Sequence, residues 1–266
     1  MHNPADRRRT ALSTAGSDPS GGAGIIADVK TFALMGVYGM AVQAALTVQN
    51  TAGVFSIKSR PARSIKNELD ALISDIRPDT VKTGMLYSAG AVSAVAEAVK
   101  EYRLENLVID PVMISSSGRK LIKDYALERL TSELFPLALV VMPNVAEAEA
   151  LSGIEIKNIP DAEEAARIIR KLGPEYVIVK GGHMPGQPDA ARAAVDVLFD
   201  GENFTRFSAP RIEKEIHGAG CVYSAAVAAG LAKGLPVEGA VREAKKFISK
   251  AIREAMPIGR GRVPIV

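Results

Sequence analysis

The 266-residue chain contains no tryptophan and only one cysteine, and aromatic residues make up just 5% of it. A single cysteine cannot close an intrachain disulfide, so a reducing, cytoplasmic setting is expected. No stretch approaches the roughly 20 apolar residues of a membrane span, and the polar N-terminus lacks the apolar core of a signal peptide. Neither sign of charge dominates: 33 Lys+Arg face 30 Asp+Glu, and a net charge of +3 is too small to argue for nucleic acid. The densest basic run is Arg7-Arg8-Arg9, which reads as part of a solvated tail over residues 1–9. Linkers, low-complexity tracts and internal repeats are also missing, so one domain is expected over residues 1–266. What is present is apolar: 47% of residues are hydrophobic and 24% charged, enough to bury a large core.

The apolar residues fall into alternating strand and helix patterns. Thr10 to Ala15 reads as a buried strand, and Ile25 to Met35 as a helix. Tyr38 to Gln49 reads as a strand carrying a small helical turn. Helices are expected over Ala62 to Asp75 and Ala89 to Glu101. Strands are expected over Asp79 to Thr83, Leu107 to Asp110, Leu139 to Met142 and Tyr176 to Lys180. Asp161 to Leu172 reads as a helix capped by Asp161 and stopped by Gly173-Pro174. Ala194 to Phe199 and Phe204 to Ser208 flank Asp200-Gly201-Glu202-Asn203, a hairpin signal. Two helices close the chain, near Gly220 to Lys233 and Pro236 to Ala255. Such alternation implies a mostly parallel sheet covered by helices on both faces. Ligands of such sheets bind at the carboxyl ends of the strands, and the unusual residues of this chain cluster there.

Each cluster has a structural and a chemical reading. His217-Gly-Ala-Gly-Cys221 precedes a helix of small residues. Its free amides suit an anion, and the helix end would favour the Cys221 thiolate; a glycine turn with a structural cysteine is the plainer reading. The loop Gly16-Ser-Asp-Pro-Ser-Gly-Gly-Ala-Gly24 fits neither a Walker A sequence nor the dinucleotide fingerprint. Asp18 and Asp28 there could meet substrate, or Asp18 could cap the helix. Asn144-Val-Ala-Glu147 places an amide and a carboxylate one turn apart. They could hold Mg²⁺ through water, or form a capping box. Lys180-Gly-Gly-His183 could supply a cation to phosphate, or a surface lysine. Gln49-Asn50-Thr51 offers an amide that suits an aminopyrimidine edge, or simply ends a strand. Gly84-Met85 and Asp110-Pro-Val-Met113 could add apolar walls.

In order, these segments resemble the hydroxymethylpyrimidine/phosphomethylpyrimidine kinases. The resemblance is carried by the run from Ala15 to Phe32, by Gln49-Asn50-Thr51, Lys82-Thr-Gly-Met85 and Asp110-Pro-Val-Met113, and by Pro143 to Glu147, Lys180 to His183 and His217 to Cys221. It implies the α/β ribokinase-like three-layer fold, ATP with Mg²⁺, two successive phosphorylations of 4-amino-5-hydroxymethyl-2-methylpyrimidine, and a homodimer. It also implies roles. Gln49 would bind the pyrimidine, with Gly16, Asp28 and Met85 near it. Asn144, Glu147, Lys180 and His183 would serve ATP, with Glu147 reaching the metal through water. Gly218, Ala219 and Gly220 would form an anion hole, and Cys221 would be the base. Ala219 stands where the family usually has Thr, and the family's usual lysine is missing from Ser115-Ser116-Ser117-Gly118. Two alternatives stand beside this reading: a pyridoxal kinase of the same fold, and a non-catalytic pyrimidine-binding regulator.

Overall fold

The computed structural model describes residues 7–115, 118–182 and 193–266. Its centre is a nine-stranded sheet. The first strand, β1 (Thr10–Gly16), is buried along its whole length and sits inside the sheet. A glycine turn leads to α1 (Gly24–Leu34), which returns the chain to β2 (Tyr38–Asn50). β3 (Gly53–Ser59) folds back antiparallel on β2 and forms one edge. Then come α2 (Ala62–Asp75), β4 (Thr80–Thr83), α3 (Ala89–Glu101) and β5 (Leu107–Ile109). A short α4 (Asp124–Arg129) runs through a π turn and a 3₁₀ turn towards β6 (Val140–Val141). α5 (Val145–Ser152), α6 (Ile159–Arg170) and β7 (Tyr176–Val179) complete the parallel part. β8 (Ala193–Phe199) and β9 (Phe204–Pro210) add an antiparallel edge. The sheet order is β3-β2-β1-β4-β5-β6-β7-β8-β9.

The chain closes with β10 (Ile216–His217), α7 (Ala219–Ala232), α8 (Val237–Glu254) and β11 (Val263–Pro264), where β10 and β11 pair in parallel. Two apolar clusters flank the sheet. One gathers α2, α3, α4 and α6, and the other gathers α1, α7 and α8. These are the three expected layers. α7 is built almost entirely from small and apolar residues because it is buried nearly all round. Gly230 lets α8 approach it: a Cβ at Gly230 would lie 2.9 Å from the Ala240 Cα.

Several details differ from the sequence reading. β2 is a continuous strand with no helical turn, since it is hydrogen-bonded to β1 on one side and β3 on the other. The β3 strand was not expected; Asn50 pairs with Gly53 across a tight turn. Asn158, not Asp161, caps α6. Its side chain accepts from the Asp161 amide at 3.0 Å, while Asp161 accepts from the Lys157 amide at 2.9 Å. Residues 1–6 of the expected tail lie outside the described residues. Arg7, Arg8 and Arg9 are exposed, as a solvated run would be; Arg7 and Arg9 pair with Asp79, and Arg8 lies 5.3 Å over the Tyr38 ring.

Candidate active site

The carboxyl ends of β1, β4, β5, β6 and β7 open onto one cavity of about 1160 Å³. That exceeds the usual ~300–1,000 Å³ of a single small-ligand pocket and leaves room for two ligands end to end. At its middle, Asp110 follows β5 and Lys180 follows β7. Lys180 Nζ donates to Asp110 Oδ1, and Ser224 Oγ of α7 donates to Asp110 Oδ2 at 3.1 Å. Burial works against the Lys180 ammonium, yet Asp110 and Glu147 hold it above its ordinary value. Gly220 lies directly over this pair, since a Cβ there would stand 3.4 Å from Lys180 Nζ.

Asn144 and Glu147 realise the capping box. Asn144 Oδ1 accepts from the Glu147 amide at 3.0 Å, and Glu147 Oε2 accepts from the Asn144 amide at 2.8 Å. Both residues nevertheless line the cavity, so the capping role does not remove them from it. Burial pushes the Glu147 carboxyl up to about 7, against the pull of Lys180. Among the described residues no three His, Cys, Asp or Glu side chains come together as a metal cluster. The donors present, Glu147 and Asp110, already accept hydrogen bonds from protein groups. They fit a Mg²⁺ held mainly by phosphate oxygens and water, as that ion's strong hydration favours.

The N-terminus of α7 lies at the cavity wall, in the arrangement that suits an anion. Gly218 has φ 81°, and a Cβ there would fall 1.8 Å from the Gly22 carbonyl oxygen, so only glycine fits. The amides of Gly218, Ala219 and Gly220 follow at the cavity wall, and Cys221 lies in the first turn. The expected thiolate is not what its surroundings favour. Cys221 is only half-buried at the cavity wall, yet the protein packed around its sulfur pushes the thiol up to about 11, and Lys82 beneath it only partly offsets this. Asp28 also departs from expectation. It is fully buried and does not line the cavity. It accepts from Lys82 Nζ at 2.8 and 2.9 Å and from Ser13 Oγ at 2.6 Å, because it projects from the inner face of α1 onto the sheet.

Gln49, Gly16 and Met85 mark one end of the cavity. A Cβ at Gly16 would stand 2.2 Å from the Met85 Cε, so this glycine admits the methionine. Asp18 does not cap α1. Its Oδ1 accepts from the Ser20 amide at 2.9 Å, and its Oδ2 lies 2.6 Å from His217 Nε2. The opposite end is walled by Ile248 and Ile252 of α8 and by a buried polar cluster. Its centre is Asp196 of β8, which accepts from the Gly181 amide at 2.9 Å, Tyr223 Oη at 2.8 Å and Lys245 Nζ at 2.7 Å. His183 lies outside the described residues, as do Ser116 and Ser117.

Sequence reasoning named Asp110 and His217 only as ends of motifs and gave no role to the Lys82, Asp196 or Lys245 side chains. Signals existed for some of them. Asp110 obeys the same strand-end rule as Lys180. Asp196 interrupts an apolar strand, and Lys245 sits on the apolar stripe of α8 with Val241, Ala244 and Ile248.

Free amides at a helix start, a lysine–aspartate pair from the ends of β5 and β7 on either side of β6, and a cavity with room for two ligands on this three-layer sheet are the features of a phosphotransferase with the ribokinase-like fold. The particular family follows from comparison. Residues 18–266 match the family described as phosphomethylpyrimidine kinase. The chain is 45% identical over 260 residues to the hydroxymethylpyrimidine/phosphomethylpyrimidine kinase of Rhizobium meliloti, covering 96% of this chain and 95% of that one. It is 47% identical over 259 residues to the thiamine biosynthesis bifunctional protein ThiED of Geobacter sulfurreducens; the match covers 97% of this chain but only 52% of that protein. The crystal structure of Bacillus subtilis pyridoxal kinase in its ADP complex superposes with a TM-score of 0.87 at 39% identity, covering 97% of this chain and 96% of that one. The chain belongs to the phosphomethylpyrimidine kinase family.

Proposed function

We propose that this kinase moves the γ-phosphoryl group of ATP onto 4-amino-5-hydroxymethyl-2-methylpyrimidine and then onto the resulting monophosphate, as part of thiamine synthesis. One observation carries the reading. The Gly218–Gly220 turn over the Lys180–Asp110 pair lines the same cavity as Gln49 on one side and Asp196 and Ile248 on the other; we read the Gln49 side as the acceptor end and the Asp196 side as the nucleotide end. In each step a bond forms between an acceptor oxygen and the γ-phosphorus, the bond to the β–γ bridging oxygen breaks, and ADP leaves with that electron pair; in the first step the acceptor hydroxyl also loses its proton, which passes to water, whereas the phosphate acceptor of the second step is already largely ionised. Charge spreads over the equatorial oxygens of the moving group. The Gly218–Gly220 amides and Lys180 would meet it. Mg²⁺, where bound, neutralises phosphate charge; Glu147 and Asp110 would hold its waters, beside Asn144. Gln49 binds the ring, with Gly16 and Met85 beside it.

A two-fold homodimer acting in the cytoplasm completes the proposal. Measurement of ADP release with the hydroxymethyl and phosphomethyl pyrimidines in parallel tests it. Turnover of neither would sink it. The similarity to a pyridoxal kinase supports a second reading, pyridoxal as acceptor. Competition between the two rings in one reaction ranks them, and a kcat/KM higher for pyridoxal would reverse the assignment.

A further inference from the structure

Gln49 sits between two partners, and each dictates which end of its amide may face it. On one side is His217. Its Nε2 lies 2.6 Å from Asp18 Oδ2 and 3.2 Å from Gln49 Nε2. Asp18 is an ionised acceptor, fixed through its other oxygen by the Ser20 amide and hydroxyl at 2.9 and 2.7 Å. The proton of His217 therefore resides on Nε2 and points to Asp18, with Gln49 close enough to share it. A group sharing that proton must be an acceptor. On the other side is Thr47. Its hydroxyl hydrogen goes to the Ser17 carbonyl at 2.7 Å, while Gln49 Oε1 lies 3.3 Å away. Having spent its hydrogen, Thr47 Oγ1 can only accept, so it needs a donor. Both partners ask for the same arrangement, with Oε1 towards His217 and the NH₂ group towards Thr47. A half-turn about the Gln49 Cγ–Cδ bond satisfies both at once.

The holders are themselves immobile. His217 pairs with Pro264 in the β10–β11 ladder. Its ring is packed so closely on Gly22 that a Cβ there would meet the His217 Cδ2 at 2.6 Å. Asp18 and His217 are both buried.

We infer that Asp18, His217 and Thr47 are positioning residues that lock the Gln49 amide in one orientation, and that this lock sets the preference for a 4-amino over a 4-oxo pyrimidine. The inference rests on the reading of Gln49 as the ring-binding residue. An amide held this way offers the cavity one lone pair and one N–H in fixed order. A 4-aminopyrimidine edge, with an exocyclic donor beside a ring acceptor, matches that order. A 4-oxo ring reverses it, with an acceptor beside a ring N–H. An unrestrained glutamine could follow the reversal by turning over; a locked one cannot.

The test compares kcat/KM for 5-hydroxymethyl pyrimidines carrying 4-amino or 4-oxo groups, in the wild type, Asp18→Asn, Thr47→Val and His217→Phe. Asp18→Asn is nearly isosteric and releases the Nε2 proton, so the imidazole can accept instead of donate. Thr47→Val removes the acceptor on the other side and covers the case in which the histidine variant fails to fold. The wild type is expected to prefer the 4-amino ring. That preference is expected to fall about 10–100-fold in Asp18→Asn and Thr47→Val, chiefly through a lower KM for the 4-oxo ring. A wild-type preference that survives unchanged in both variants overturns the lock and leaves the assigned function standing. A wild type that turns over neither ring overturns the assigned function, and the lock with it.

Discussion

Two lysine–aspartate pairs lie under the same cavity, and they differ in their access to water. Asp28 and Lys82 have side chains 0% exposed, while Asp110 and Lys180 are 2% and 10% exposed. The dry pair is saturated: both Asp28 oxygens accept from Lys82, and Ser13 adds a third bond. The wetter pair borders the space where phosphates are proposed to sit, and Gly220 leaves its upper side uncovered. Identical functional groups thus divide their work by depth. An ion pair sealed from water cannot exchange partners, so its charge acts only as a fixed field. A pair at a cavity wall can trade a carboxylate for a phosphate as the ligand arrives.

The largest effect expected from this contrast is on turnover. Lys180→Met removes the cation that meets the transferring group and should lower kcat by ~10³-fold or more. The fold should survive at some cost, because Asp110 keeps its bond from Ser224 and lines the cavity. Steady-state kinetics together with thermal unfolding checks both halves. A variant that loses stability but turns over at the wild-type kcat where it is folded would assign Lys180 to the scaffold.

For the dry pair the expectation inverts. Lys82→Met strands the Asp28 carboxylate and should cost ~3–5 kcal/mol of stability. The double change Asp28→Leu with Lys82→Met should recover most of that loss, since a buried pair and a well-packed apolar pair are often close in energy. Urea unfolding of the two variants decides it. Equal losses in the single and double variants would mean that volume, not charge, matters there.

Much of this division could not be read from the chain. The helix of Ile25 to Met35 and the strand of Thr10 to Ala15 were legible because their apolar spacing matches one period. The strand-end rule then located Gln49, Asn144, Lys180 and the Gly218–Gly220 cradle. Asp28 was misplaced because its face depends on how α1 rolls against the sheet, and spacing does not settle that for an acid among apolar neighbours. The cluster of Asp196, Tyr223 and Lys245 comes from three elements far apart in sequence, so no local pattern announces it. Asn144 and Glu147 show a subtler limit: cap and ligand wall use the same two residues, and the sequence reading treated them as competitors.

The next effect is on stability against pH, and it again separates the wetter site from the dry one. Glu147 titrates near 7 in the folded chain against an ordinary value near 4.5, chiefly because it is buried. Below about 4.5 it is protonated folded or unfolded. As pH rises towards 7 the unfolded chain releases this proton while the folded chain keeps it, so stability falls. Above about 7 the loss is complete, at about 3 kcal/mol. In Glu147→Gln this decline should vanish, so the variant gains on the wild type between pH 5 and pH 8. Denaturation midpoints across that range measure it, and parallel profiles for the two proteins would remove Glu147 as the titrating group.

The smallest effect concerns Cys221, which lies between the two pairs. A general base speeds the attack of an alcohol by typically ~10²–10⁴-fold, about 3–5 kcal/mol. A thiol that titrates near 11 must first lose its proton, which costs on the order of 5 kcal/mol at pH 7. The cost cancels the gain. The field of Lys82 lowers the cost, but Lys82 is held by Asp28, so burial prevails. An anionic nucleotide above the cradle would disfavour the thiolate further. Cys221 is therefore expected to contribute shape to the α7 turn and a weak hydrogen bond accepted from the Gly24 amide, and this serves both phosphorylations alike. Cys221→Ala should slow the alcohol and the phosphate acceptor by the same factor, about tenfold or less. Alkylation of Cys221 by iodoacetamide, followed against pH in the ligand-free chain, should show a midpoint well above the ordinary thiol value near 8.5. A midpoint below 8, with a loss above 100-fold confined to the alcohol, would restore the thiolate base and make the dry Asp28–Lys82 pair its source of activation.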